Sequence, residues 1–352
     1  MSEIEPIDTK RLVVDPRRPD PEQIAQAAAV IRRGGLVAFP TETVYGLGAN
    51  ALDADAVRRI FVAKGRPTYD PVIVHLSGAD ELDRIARDVP DVARVLAARF
   101  WPGALTLVLP KAEIVPGIVT SAGPTVAVRC PDHPLAQSLI VAAGTPIAAP
   151  SANRFSHTSP TTAQHVWDDL AGKIEMILDG GLTPIGVEST VLDVTGAVPR
   201  ILRPGGVTAE ALTAVLPHIE TQPLTDNQAP PAPGMLERHY APRAEMWLFT
   251  GSDMAVRQAI WANGERERAN GRSVALMLAD EDVPFFADGR FVIESVGSLT
   301  ALEQVAQNLF RTMRQLDNAG PDLILARDFP PTRLGSAIRD RLRRASRHVI
   351  VV

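Results

Sequence analysis

The sequence predicts an α/β protein built as two domains, on three observations. The chain has 352 residues, 45% of them hydrophobic and 22% charged, which is ordinary globular composition over a length that usually divides into two cores. Short apolar runs alternate with stretches whose apolar residues recur at helical spacing, in both halves of the chain. Between the halves, PHIETQPLTDNQAPPAPGMLERHYAPRA (217–244) is proline-rich, polar and aperiodic, and reads as a linker. The expected domains are 1–210 and 245–352, joined by 211–244.

The elements follow in order. DPEQIAQAAAVIRR (20–33) has helical spacing and stops at Gly34-Gly35. LVAFP (36–40) is a short buried strand, and DADAVRRIFVA (53–63) is a helix with Asp53 as its N-cap. PVIVHL (71–76) is a strand, and 80–99 is one helix or a pair divided around Pro90. LTLVLP (105–110), TVAVRC (125–130) and PIAAP (146–150) are strands, while QSLIVAAG (137–144) is a helix closed by glycine. IEMILDGG (174–181), STVLDVTG (189–196) and PRILRPG (199–205) complete the first domain. Past the linker come EMWLFTG, a helix through 253–270, SVALMLAD, a helix near 300–316, PDLILARD and a final helix from about 335. That alternation suits a small, largely parallel sheet.

Composition narrows the function classes. The formal net charge is -5 and the pI about 5.8, which argues against a basic, duplex-coating nucleic-acid binder. One cysteine, Cys130, allows neither an internal disulfide nor a cysteine-rich zinc site. The first twenty residues are polar and no run reaches the roughly 18 apolar residues of a spanning helix, so the expectation is a cytoplasmic protein without a membrane segment. Of 36 basic residues only Lys10, Lys64, Lys111 and Lys173 are lysine, so each place where the drift toward arginine stopped carries weight.

The residues that could carry chemistry gather at the ends of apolar runs. PTETVYGLG (40–48) follows a strand and offers Thr41, Glu42, Thr43 and Tyr45, with glycines that would let a ligand approach the backbone; a plain turn satisfies the same hydroxyls. Lys64-Gly65-Arg66-Pro67 places two cations on one turn, which suits a triphosphate and also complements a helix C-terminus. His75 ends an apolar strand, where a structural histidine is the commoner case. Arg129 ends another and needs an anion, either a substrate carboxylate or a protein acid. Ser151 and Asn153 share a tight turn after PIAAP; Gly186-Val187-Glu188-Ser189-Thr190 precedes a strand, and Arg203 sits in LRPGG. There is no P-loop, no GxGxxG after a strand, no HExxH and no GxSxG, and the seven histidines lack metal spacing.

In order, PTETVYGLG, KGRP, PVIVH, WPGALTLVL (101–109), TVAVR, APSAN, GVEST and LRPG resemble the YrdC-type threonylcarbamoyl-adenylate synthases, over about 20–210. PGMLERHYAP (233–242) and the second α/β domain resemble the long, two-domain form of that family. The resemblance implies a twisted mixed sheet around a central, positively lined cavity, followed by a smaller Rossmann-like domain. It implies that L-threonine, bicarbonate and ATP give threonylcarbamoyl-AMP and pyrophosphate, for tRNA modification completed by a separate transferase complex. It gives Lys64 and Arg66 the catalytic role, and Thr41, His75, Arg129, Ala149 and Ser189 the threonine site. Lys64, Arg66, Thr125, Ser151, Asn153, Ser159, Arg203 and Tyr240 would contact ATP, with Tyr240 carried on the linker as a lid. Mg²⁺ would be held through phosphate oxygens rather than by a protein cage. Asp70 stands where the family usually has Asn, Leu236-Glu237 where a basic-aromatic pair is usual, and Arg339-Asp340 where Met-Asn is common. The rival reading, a non-enzymatic nucleotide- or RNA-binding module, is opposed by the acidic charge and the lack of interleaved aromatics. The last helix, with Arg339, Arg341, Arg343, Arg344 and Arg347, reads as a solvated charged face; its sharper alternative is a weak RNA contact.

Overall fold

The structure is a computed structural model that describes residues 7–221, 240–287 and 289–352. The chain forms two compact units: residues 7–155 with 159–221, and residues 156–158 with 240–352. The first unit therefore runs past the boundary expected at 210 and includes a short helix, Ala209–Thr213, whose Leu212 is buried in its core. Most of the expected lid, including Leu236-Glu237, lies outside the described residues.

The first unit is a ten-stranded mixed sheet. Its strands are β1 (Lys10–Val13), β2 (Val37–Pro40), β3 (Tyr45–Asn50), β4 (Ile73–His75), β5 (Leu105–Pro110), β6 (Thr125–Arg129), β7 (Ile147–Ala148), β8 (Met176–Asp179), β9 (Thr190–Asp193) and β10 (Arg200–Arg203). Their spatial order is β1-β8-β2-β3-β7-β4-β6-β5-β9-β10. β2, β3, β7 and β4 pair antiparallel in succession, while β4 with β6 and β5 with β9 pair parallel. The chain order is thus shuffled, so motifs far apart in sequence become neighbours.

Local chemistry explains the elements that hold the site. Helix α1 (Pro21–Arg32) starts where Asp20 accepts from the Glu22 N–H at 2.9 Å, with proline in the first turn. Helix α2 (Ala54–Lys64) starts on Asp53, which accepts from the Asp55 and Ala56 N–H groups at 2.9 and 3.2 Å. It ends on Gly65 at φ 63°, a left-handed conformation that costs glycine little, and this turn sets Lys64 and Arg66 close together. The helical stretch around Pro90 is indeed a pair, α3 (Leu82–Ile85) and α4 (Asp91–Phe100). Two more helices follow, α5 (Pro134–Ala143) and α6 (Ala163–Leu170), and then α7, the Ala209–Thr213 helix.

One motif needs correcting: YGLG is strand β3, not loop. A Cβ on Gly48 would lie 2.7 Å from Phe39 Cε1 and 2.8 Å from Ile147 Cγ2. That glycine makes room for an aromatic ring and a neighbouring strand rather than for a ligand.

The second unit is a fully parallel five-stranded sheet, ordered β13-β12-β14-β11-β15. Its strands are β11 (Glu245–Thr250), β12 (Val274–Ala279), β13 (Val292–Gly297), β14 (Leu323–Arg327) and β15 (His348–Val351), with helices α8 (Asp253–Ala269), α9 (Leu302–Asn318) and α10 (Gly335–Ala345). The central strands β12 and β14 are buried along their whole length, as expected of a parallel sheet covered on both faces. The expected solvated face of α10 is also corrected. Arg341 is 0% exposed, with its guanidinium 5.1 Å from the Tyr240 ring centre, and Arg339 pairs with Asp328 at 2.9 Å.

Candidate active site

Two groups of buried polar residues form in the first unit. The first surrounds the turn after α2. Lys64, 4% exposed, donates from Nζ to the Ser151 carbonyl at 2.5 Å, to the Asn153 carbonyl, and to Asn153 Oδ1 at 3.3 Å. Ser151 Oγ donates to the same Oδ1 at 2.5 Å. The KGR and SAN motifs, expected separately, are one structure. Arg66 donates from Nε to the Asp70 carbonyl at 3.0 Å and from a terminal nitrogen to the Pro71 carbonyl at 2.7 Å. That terminal nitrogen also lies 2.9 Å from the Asp70 carboxylate. Burial pushes the Asp70 carboxyl above the usual carboxylate range, against the pull of Arg66, Lys64 and Arg203.

Arg203, at the end of β10, donates to the Ser189 carbonyl at 2.8 Å and to Ser189 Oγ at 3.3 Å. Ser189 Oγ shares a 2.7 Å hydrogen bond with Thr106. Ser159 donates to Glu188 at 2.5 Å. Gly205 explains how LRPGG lies flat on GVEST: any Cβ there would overlap the backbone of Glu188, Ser189 and Thr190.

The second group surrounds Arg129. Its terminal nitrogens reach Thr43 Oγ1 at 2.9 Å and Glu42 at 2.6 Å, and its Nε donates to the Gly103 carbonyl at 3.1 Å. The anion that the strand-end arginine needs is thus supplied by the protein itself. Thr41 Oγ1 donates to the Val44 carbonyl at 2.8 Å and lies 2.8 Å from Thr43 Oγ1. His75 pairs with Arg129 in the β4–β6 register. Burial, helped by the Arg129 charge, pushes the His75 pKa down to about 3, so the imidazole is neutral at physiological pH.

Backbone hydrogen bonds knit the loops of both groups together. Ile185 and Gly186 donate to the Glu42 and Thr43 carbonyls at 2.9 and 3.1 Å, and Gly206 donates to Glu188 at 3.0 Å. Leu47 donates to the Pro150 carbonyl at 2.8 Å, and Ala149 to the Ile73 carbonyl at 2.8 Å. Of the thirteen candidate positions, all but two thus fall on a shared set of strand ends and loops. Thr125 opens β6, at the far end of that strand from Arg129. Tyr240 belongs to the second unit, where its ring centre lies 5.6 Å from that of Phe310.

Sequence reasoning named Glu42 and Glu188 within motifs without giving them roles. Both are buried acids beside hydroxyl-bearing residues, and that was the available signal. Among the described residues, no three Asp, Glu, His or Cys side chains converge as metal ligands, while Glu42 and Asp70 face arginines and Glu188 faces Ser159. Cys130 is buried and its thiol is pushed up to about 11, so it supplies no thiolate near neutrality. What the arrangement offers is fixed cations, hydroxyls and a neutral imidazole. Such a set can gather anionic reactants and stabilise charge that develops between them.

Both units match known proteins. A family model described as telomere recombination, covering the Sua5, YciO and YrdC proteins, matches residues 29–205. A second, described as the C-terminal domain of threonylcarbamoyl-AMP synthase, matches residues 207–347. The threonylcarbamoyl-AMP synthase of Pyrococcus abyssi is 46% identical over 332 residues, covering 94% of this chain and 95% of that protein. The Bacillus subtilis protein of the same name is 44% identical over 337 residues, covering 95% and 96%. The crystal structure of P. abyssi Sua5 complexed with L-threonine superposes with a TM-score of 0.91 at 44% identity, covering 97% of this chain and 99% of that one. By these matches over both units, the chain belongs to the Sua5/YciO/YrdC family, in the form that carries the threonylcarbamoyl-AMP synthase C-terminal domain.

Proposed function

We infer that this chain is an enzyme that makes threonylcarbamoyl-AMP and pyrophosphate from L-threonine, bicarbonate and ATP. Full-length relatives with that activity in their names support the reaction class. The observation that carries the site assignment is the convergence of Lys64, Arg66 and Arg203 around Asp70, with Ser151 and Asn153 on Lys64. Three cations in a buried setting suit a triphosphate, with lysine as a point charge and arginine as a planar fork. Ser159 and Thr125 complete the nucleotide contacts in this reading. Thr41, His75, Arg129, Ala149 and Ser189 take the amino acid.

The chemistry needs no covalent enzyme intermediate. The threonine amine adds to bicarbonate, and loss of water leaves an N-carboxylate. That carboxylate attacks the α-phosphorus of ATP; the bond to the β-phosphate oxygen breaks, and pyrophosphate leaves. The protein overcomes repulsion between two anions by placing both against fixed cations, and positioning supplies much of the rate. Neutral His75 can meet an uncharged group without adding charge beside Arg129. Mg²⁺ enters as MgATP, part of the substrate, on phosphate oxygens. The product passes to a separate transferase complex that modifies tRNA, and RNA contact by this chain is weak and outside the reaction. Cytoplasmic residence belongs to the same reading.

The test is pyrophosphate release from MgATP, with and without L-threonine and bicarbonate. Release should require both, and Lys64→Ala should lower it by about a hundredfold or more. Tight ATP binding with no threonine-dependent release would overturn the assignment.

A further inference from the structure

Asp70 is a buried acid set among the three cations of the proposed phosphate site. It is 0% exposed, and neither of its carboxylate oxygens receives a directed hydrogen bond. Arg66 lies 2.9 Å from the carboxylate, but each cation also has other anchors. Lys64 is held by Ser151 and Asn153, Arg66 by the carbonyls of residues 70 and 71, and Arg203 by Ser189. A buried carboxylate without hydrogen bonds is costly, and only positive potential keeps it ionised. That potential comes from Lys64 at the end of α2, Arg66 in the turn after it, and Arg203 on β10.

A triphosphate settling on those cations cancels the potential that stabilises the carboxylate and adds repulsion of its own. Asp70 has no exposed surface through which water could share the charge. A proton can remove it. We propose that Asp70 is a proton-binding site coupled to the nucleotide site, ionised in the free protein and protonated when ATP phosphates settle on Lys64, Arg66 and Arg203. The proposal rests on the reading of those three as the phosphate-holding set. Burial has already raised the proton affinity of this carboxyl, so the added phosphate charge has less to do. The protonated carboxyl donates a hydrogen bond where the ionised one repelled. Because binding takes up a proton, ATP affinity must fall as pH rises through the window between the free and bound pKa values.

The experiment is calorimetric titration of MgATP into the full chain, without threonine or bicarbonate, in buffers of different ionisation enthalpy. Wild type and Asp70→Asn are compared, so that titration of the γ-phosphate itself cancels in the difference. Wild type should take up more protons than Asp70→Asn, by up to about one. Across the pH range in which that uptake occurs, its Kd for ATP should rise relative to the variant by up to about tenfold per pH unit. Asp70→Ser, which also lacks the carboxyl, should behave like Asp70→Asn and serves if the latter folds poorly. Equal proton counts and parallel pH profiles would overturn the proposal. Lys64→Ala, titrated alongside, separates the two readings. If it binds ATP as tightly as wild type, the phosphate assignment fails and takes this proposal with it. If it weakens binding while Asp70 takes up no proton, only the coupling fails.

Discussion

Arg129 illustrates how much a single buried charge commits its surroundings to. Its guanidinium is 3% exposed and lies 2.6 Å from Glu42, itself 6% exposed. Removing one partner of such a pair strands the other, at a cost of about 3–5 kcal/mol, whereas removing both restores neutrality. Denaturant unfolding should therefore show Arg129→Gln and Glu42→Gln each strongly destabilising, and the double variant costing clearly less than their sum. Additive losses would show that the pair is not coupled. Residues differed in how legible they were. Lys64 and Arg66 stood out because they put two cations on one turn and lysine is rare in this chain. The roles of Glu42 and Asp70 were not readable, because an acid in a motif shows no partner until the fold brings one from 87 or 4 residues away, as with Arg129 and Arg66.

Elements, by contrast, were readable where they formed continuous apolar runs or carried their own caps. β5, β6, β12 and β14 are continuous apolar runs, and α2 carries its own cap and stop. Of the strands that escaped notice, β1, β13 and β15 lie at sheet edges with mixed or exposed patterns, so no alternation marked them, while buried β3 was hidden by the two glycines of YGLG. What no pattern shows is the packing of one loop on another, and Gly205 is the case with most at stake. Its side-chain space is filled by the backbone of Glu188, Ser189 and Thr190, which cannot turn aside as a flexible side chain would. Gly205→Ala should therefore push LRPGG off GVEST and displace Arg203 from Ser189. The expected outcome is a loss of about 1–3 kcal/mol in denaturant unfolding, with a rise in KM for ATP. Unchanged stability and KM would mean that the loop has room the geometry denies.

At the scale of the whole molecule, charge decides which polyanions can be partners. The chain carries a formal net charge of -5, while the cations proposed to meet ATP are buried: Lys64, Arg66 and Arg203 are 4%, 6% and 3% exposed. A nucleotide can enter such a setting; a duplex or folded RNA cannot lay its backbone along it. The arginine-rich final helix offers less than its sequence suggested. Arg341 is buried, Arg339 is tied to Asp328, and Arg344 to Asp340 at 3.0 Å. An RNA-binding protein would need several solvent-facing phosphate contacts, each adding to a steep loss of affinity with salt. Filter binding of tRNA near physiological ionic strength, about 0.15 M, should therefore show only weak retention, with a Kd of about 10 μM or higher. Threonine-dependent pyrophosphate release should proceed at the same rate without tRNA. Submicromolar tRNA binding with a steep salt slope, or release that waits for tRNA, would instead mean that the exposed Arg343 and Arg347 belong to a true RNA surface. The division between a small-molecule synthase and an RNA-docking protein would then have to be redrawn.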